Sequence, residues 1–318
     1  MTPRLHLAAV CALWLTVSLP AWAGGFEPLY DFGSNPGRLW TSVYAPSKAS
    51  APATLIIALH GCLQSGRIYG LESGWSDLAD RFGWVILLPE QPFTNNWLEC
   101  FNWFDPTKAK HGGDEVVSIR QMITAVVARY HIDQQRIFIT GLSAGGAMTA
   151  AMTADYPDLF AGAAVIAGVP FGCATNAQAA QKCLKPGRNR SPEAWAKQVR
   201  KAAPAPAAYP RLAVWQGQAD DVVAPMNARE LIEQWTAVDS IDLASGRSDT
   251  IKGLPRTTWA NGSGAPVVQL VLVPGMRHAV PVNPGDTPES CGTIGSYAAS
   301  VGICSSLEIA RFWGIAPD

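Results

Sequence analysis

Charged residues are scarce in this chain. Lys and Arg number 24, Asp and Glu 25, and together they make up 15% of 318 residues. That near balance excludes the basic field that draws nucleic acid, so no nucleic-acid partner is expected. No basic amphipathic stretch reads as a membrane-surface helix, and no run is long enough to span a bilayer comfortably, so no stable membrane insertion is expected. Histidine is rarer still, at five residues. No Cys-x-x-Cys or His-x-x-x-His spacing occurs, which excludes the common zinc frameworks. Repeats and linkers are also missing, so residues 24–318 read as one domain.

Apolar residues are abundant, at 48%, and tryptophan reaches 12. Two readings stay open: a tryptophan-rich core, or a surface that meets apolar material outside the cell. Residues 1–23 read as a signal peptide. Arg4 lies near the start, an apolar core runs from Leu7 to Leu19, and Ala21-Trp-Ala23 is a small-residue cleavage site. The protein is therefore expected to be secreted. Cys11 leaves with that segment, and Cys62, Cys100, Cys173, Cys183, Cys291 and Cys304 remain. An even count in an exported chain suggests disulfides. Cys173–Cys183 and Cys291–Cys304 are natural local bridges, which leaves Cys62 and Cys100 over.

Strand and helix patterns alternate along the chain. Leu39 to Tyr44 reads as an edge strand, and Thr54 to Leu59 as a buried one. A helix is expected from Gly70 to Phe82, a strand from Trp84 to Leu88, a long loop over 91–113 and a helix over Asp114 to Tyr130. Further strands read at Arg136–Thr140, Ala163–Ala167, Arg211–Gln216 and Val267–Val273, the last of the series. Helices are expected at Ala144–Tyr156, Pro192–Lys201, Pro225–Val238 and Ser305–Trp313. Residues 239–265 look irregular. Such alternation predicts a mostly parallel sheet with helices on both faces.

One stretch organises the rest. Ile137-Phe-Ile-Thr140 runs into Gly141-Leu-Ser-Ala-Gly145, and a small-residue helical pattern follows. Strand, sharp turn and helix around a Gly-x-Ser-x-Gly core form the context of a nucleophile elbow, which makes Ser143 the candidate nucleophile. On an α/β-hydrolase sheet the order is serine, acid, histidine. After Ser143 the chain holds a single histidine, His278, in the loop leaving the last expected strand. It is the candidate general base. Asp220 and Asp221 leave the strand before it. Asp220 lies three residues past Gly217 and can turn inward, so it is preferred as the acid. Oxyanion donors are expected at the Ala144 N–H and, after the early buried strand, at the Cys62 N–H, with Leu63 as second choice. His60 reads as a support for that loop.

Six motifs in one order carry a specific resemblance. They are His60-Gly-Cys-Leu-Gln64, Glu90-Gln-Pro92, Cys100-Phe-Asn-Trp-Phe104, Gly141 to Met148, Gly275-Met-Arg-His-Ala279 and Cys291-Gly-Thr with Gly302-Ile-Cys304. From about residue 38 to the C-terminus the chain resembles the poly(3-hydroxybutyrate) depolymerase family of secreted serine esterases. The broader group includes feruloyl and acetylxylan esterases. The resemblance implies an α/β-hydrolase fold, with Ser143, Asp220 and His278 as the triad and Cys62 and Ala144 as oxyanion donors. It also implies a Cys62–Cys100 bridge tying the oxyanion loop to the aromatic loop. Many members append a linker and a separate polymer-binding domain, neither of which is read here.

The expected partner is a polyester or small ester, the chain is expected to act as a monomer, and the chemistry needs no metal or other cofactor. Trp103, with Trp97 and Phe101, is the candidate apolar wall for substrate. A feruloyl or acetylxylan esterase is the alternative, and a non-catalytic binding protein on the same fold a more distant one.

Overall fold

A computed structural model describes residues 25–47, 51–203 and 206–318. The expected signal peptide lies outside the described residues. Twelve strands are formed among them: β1 Gly25–Pro28, β2 Trp40–Ala45, β3 Ala53–Leu59, β4 Val85–Glu90, β5 Ile132–Leu142, β6 Gly162–Ile166, β7 Arg211–Gly217, β8 Arg247–Ile251, β9 Leu254–Ala260, β10 Pro266–Val273, β11 Val280–Val282 and β12 Ala298–Ser300. The α-helices are α1 Gly66–Glu72, α2 Trp75–Phe82, α3 Pro106–Ala109, α4 Asp114–Tyr130, α5 Ala144–Asp155, α6 Ala177–Leu184, α7 Pro192–Ala202, α8 Met226–Val238 and α9 Ser305–Trp313.

Ten strands make one sheet in the order β1-β2-β4-β3-β5-β6-β7-β10-β9-β8. From β4 to β10 neighbours run parallel, and antiparallel pairs close both edges. β3, Ala-Thr-Leu-Ile-Ile-Ala-Leu, and β6 are buried along their whole length, and β5 is buried over Ile137–Leu142. Such continuous apolar runs suit a sheet covered on both faces. One cluster centred on Leu55, Ile57 and Ile139 packs under α4, α5 and α8, and another centred on Ile56, Trp75 and Ile166 packs under α2 and α9. This is the α/β-hydrolase architecture.

Several sequence expectations need correcting. The edge strand is β1, not the segment at 40–45, because Gly25 to Pro28 pairs outside β2. The helix expected over 70–82 is two helices, broken at Ser73-Gly74. Gly74 stands at φ 81°, and a Cβ there would meet Cys291 Sγ at 2.5 Å. The loop over 91–113 contains α3, and the 170–209 stretch contains α6, capped by the Asn176 side chain on the Ala179 N–H. The irregular region 239–265 folds as the β8–β9 hairpin, and β10 is followed by the small β11–β12 pair.

Tryptophan chiefly fills the core. Trp75, Trp84, Trp195, Trp215, Trp235, Trp259 and Trp313 are buried, whereas Trp40 and Trp97 are exposed. Three disulfides form: Cys62–Cys100, Cys173–Cys183 and Cys291–Cys304. Among the described residues no helix is long and apolar enough to cross a membrane.

Candidate active site

The chain places β4 on one side of β3 and then β5 on the other. In a doubly wound sheet that reversal opens a crevice at the carboxyl ends of the two strands. The loops at 60–63 and 141–145 flank it.

β5 runs directly into Ser143, whose backbone sits at φ 57°, ψ −117°. That conformation costs a non-glycine residue roughly 1–3 kcal/mol. It is held from both sides. The Ser143 N–H donates to the Ile166 carbonyl at 2.9 Å, and its carbonyl accepts from Ala147 N–H at 2.8 Å as α5 begins. Gly145 makes the close approach possible, since a Cβ there would lie 2.2 Å from the Leu59 carbonyl oxygen. α5 is buried on every side, as expected of a helix with small apolar residues all round. Ser143 itself is half-buried.

Asp220 and His278 come together from loops after β7 and β10. His278 Nδ1 lies 2.8 Å from Asp220 Oδ2, and both side chains are buried. The carboxylate can only accept, so Nδ1 carries the proton and Nε2 is left as the basic nitrogen. Asp220 takes further donors: Val222 N–H at 2.8 Å and Val223 N–H at 2.9 Å on Oδ1, and Gln216 Nε2 at 3.0 Å on Oδ2. Burial pushes its pKa up, but the hydrogen bonds and charge of His278 with the Val223 and Val222 N–H groups outweigh that and hold it below the usual range. Asp221 instead faces solvent and pairs with Arg277. Among the described residues no hydrogen bond joins Ser143 Oγ to His278. Such contacts are commonly long in unliganded sites and tighten with substrate.

In the loop after β3 the two candidate N–H groups differ in their partners. Leu63 N–H is taken by the Leu98 carbonyl at 2.8 Å, while the N–H groups of Cys62 and Ala144 have no backbone acceptor among the described residues. His60 holds this loop. Its Nδ1 lies 2.6 Å from the Gly61 carbonyl, and Nε2 accepts from Gln91 N–H at 3.0 Å. Burial lowers its pKa to about 4, so the ring is neutral.

Beside it lies a polar hub that the sequence reading missed. Glu115 is fully buried at the start of α4. Its Oε1 accepts from Gln91 Nε2 at 2.7 Å and Asn102 Nδ2 at 2.6 Å, and Oε2 accepts from Asn102 N–H at 2.9 Å. The signal was available: a carboxylate within an apolar helical stripe needs donors. Gln216 was missed too, since a strand glutamine carries no distinctive pattern.

The aromatic residues separate. Phe101 is buried, with its ring 4.9 Å from that of His60, so it supports the loop and cannot wall a substrate site. Trp97 projects into solvent. Trp103 is half-buried and packs with Phe104 against the cluster that includes Ala147 and Val223.

The family described as Esterase PHB depolymerase matches residues 39–251. Poly(3-hydroxyalkanoate) depolymerase C of Paucimonas lemoignei is 41% identical over 289 residues, 90% of this chain and 69% of that protein. Feruloyl esterase B of Talaromyces stipitatus is 30% identical over 287 residues, 87% of this chain and 78% of that one. In fold the chain is similar to an acetyl xylan esterase from Aspergillus awamori, with a TM-score of 0.77 at 24% identity, covering 92% of this chain and 100% of that one. The chain therefore belongs to the PHB depolymerase family of esterases, and it is a carboxylic ester hydrolase.

Proposed function

We propose that the protein hydrolyses poly(3-hydroxybutyrate) or its oligomers through Ser143, His278 and Asp220. The observation that carries the mechanism is the buried Asp220–His278 pair, presented at the same sheet edge as a serine on a strained strand-to-helix turn. His278 Nε2 takes the Ser143 proton as Oγ bonds the ester carbon. The carbonyl oxygen becomes an oxyanion between the Cys62 and Ala144 N–H groups, each worth about 3 kcal/mol of barrier. Collapse breaks the ester C–O bond, and the leaving alcohol oxygen takes the proton from His278. Water then attacks the acyl-enzyme by the same route, releasing the acid and restoring Ser143. Asp220 fixes the imidazole and balances its charge.

Trp103 supplies an apolar wall in this reading, which its half-buried packing on the cluster that includes Ala147 of α5 and Val223 supports. Export is part of this reading. The 1–23 segment supports it, as do the three disulfides, which persist in oxidising compartments. Oligomeric state is proposed as monomeric.

The 41% relative named for poly(3-hydroxyalkanoate) favours a polyester substrate. The 30% relative named feruloyl esterase keeps a plant-polysaccharide ester as the second reading. A panel of polymer film, hydroxybutyrate oligomers, methyl ferulate, acetylated xylan and short nitrophenyl esters separates them. Film clearing and oligomer cleavage are expected. Ferulate or acetate release without either would overturn the polyester assignment.

A further inference from the structure

Gln216 sits inside the loop that carries the acid. It is the last residue but one of β7 and is 1% exposed. Its Nε2 lies 3.2 Å from the Gly217 carbonyl oxygen, 3.0 Å from Asp220 Oδ2 and 3.3 Å from the Val223 carbonyl oxygen. All three neighbours accept, so the amide nitrogen and not the oxygen must face them. Gly217 opens the loop and Val223 closes it, with the carboxylate between them in sequence. One amide thus ties the two ends of the loop to each other and to its carboxylate.

The other contacts of this loop fix its backbone. Gln218 N–H donates to the Val273 carbonyl and Ala219 N–H to the Met276 carbonyl, each at 3.0 Å. A Cβ on Gly217 would lie 2.4 Å from the Met276 carbonyl oxygen and 2.6 Å from that of Arg277. The acid loop is therefore pressed against the loop bearing His278. The carboxylate is held separately. Val222 and Val223 N–H groups hold Oδ1, while Oδ2 takes His278 Nδ1 at 2.8 Å and Gln216 Nε2. In the proposed cycle His278 changes charge at every proton transfer. Gln216 is the donor on Oδ2 whose charge stays constant.

A second observation marks the residue. Gln216 Oε1 is buried with no hydrogen-bond partner among the described residues. An orphaned buried carbonyl carries a desolvation cost that an apolar side chain of similar size avoids. Packing alone therefore does not explain an amide here. Gln234 in α8 is equally buried and makes the contrast. Its Oε1 accepts from Phe171 N–H at 3.0 Å, and its Nε2 donates to the Phe171 carbonyl at 3.0 Å and the Trp195 carbonyl at 3.3 Å. Both ends are used, and all its partners are backbone groups outside the triad.

We infer that Gln216 is a positioning residue for catalysis, holding Asp220 Oδ2 in line with His278 Nδ1 while the imidazole gains and loses its proton. The inference rests on the reading of Ser143, His278 and Asp220 as the triad.

The test uses nitrophenyl butyrate turnover on the folded, monodisperse fraction of each protein. Gln216→Met keeps the length and drops the donor. It is compared with wild type, Gln234→Met, Asp220→Asn and the Asp220→Asn/Gln216→Met double variant. Gln216→Met is expected to lower kcat about tenfold with KM within about twofold, and Gln234→Met to leave both within about twofold. On the Asp220→Asn background, Gln216→Met should add less than about twofold, because its effect passes through the carboxylate. Gln216→Glu is the second variant and keeps the shape. Its carboxyl donates to Oδ2 only while protonated, and the neighbouring Asp220 charge favours that form. Its kcat relative to wild type should therefore fall as pH rises across the active range. Wild-type kcat in folded Gln216→Met, an equal loss in Gln234→Met, a full tenfold loss on top of Asp220→Asn, or a Gln216→Glu ratio flat with pH overturns the inference and leaves the triad reading standing. Wild-type kcat in Asp220→Asn overturns both.

Discussion

Gly145 packs beneath the carbonyl of Leu59, close enough that a Cβ would lie 2.2 Å from that oxygen and 2.5 Å from the His60 carbonyl oxygen. The turn bearing Ser143 and the loop bearing Cys62 are thus in backbone contact. Gly145→Ala cannot be absorbed by moving a side chain, because both obstacles are backbone. We expect it to lose at least about 3 kcal/mol of stability and most activity. Denaturant melts with nitrophenyl butyrate assays read both, and wild-type stability in the variant would refute the contact.

Ser143→Ala should lower kcat at least about a thousandfold while leaving folding intact. A fluorophosphonate probe should label wild type and not the variant. Labelling that survives would move the nucleophile elsewhere.

The two adjacent aspartates should behave oppositely. Asp220→Asn should cost about 10⁴-fold in kcat, because an amide presents a donor or the wrong partner to His278 Nδ1. Asp221→Asn, at the solvent-facing pair with Arg277, should change kcat by less than about twofold. Reversed effects would reassign the acid.

Removing the Cys62–Cys100 bridge as a double serine variant opens a crosslink 38 residues apart in sequence. The chain-entropy account gives a loss of roughly 4 kcal/mol. Since the bridge also clamps the loop holding Cys62 N–H, kcat should fall in variant enzyme that remains folded. Unchanged kcat in that folded fraction would show that Glu115, Gln91 and His60 hold the loop unaided.

Asp155 ends α5, buried, with its carboxyl pushed up to about 7 by burial, against smaller lowering from the His111 N–H and Lys110. A folded pKa above the unfolded one means that this group favours folding below the unfolded value, and that the advantage fades as pH rises to about 7. Asp155→Asn lacks the titration. Its stability relative to wild type should therefore rise between about pH 4 and 7, by up to about 4 kcal/mol. A pH-independent difference in thermal melts would count against it.

What the chain announced by itself follows from chemistry that is local or unique. The turn bearing Ser143 was readable because strand, glycine turn and small-residue helix are contiguous. His278 was readable because it is the sole histidine after that serine. The buried strand β3 and the Ile137–Ile139 part of β5 are short apolar runs that only a covered sheet accommodates. The β8–β9 hairpin was not readable: Arg247 to Ile251 is polar and exposed, and it becomes strand by pairing with β9 and, through it, β10. Nor was the break at Gly74, which exists because Cys291 and Gly292 occupy the space a side chain would need. Glu115 reads as the first turn of an amphipathic helix until Gln91 and Asn102 arrive from a loop folded over it. Periodicity and motif record what a segment prefers in isolation. Register, disulfide pairing and the satisfaction of buried carboxylates depend on groups far apart in the chain, so only the folded arrangement decides them.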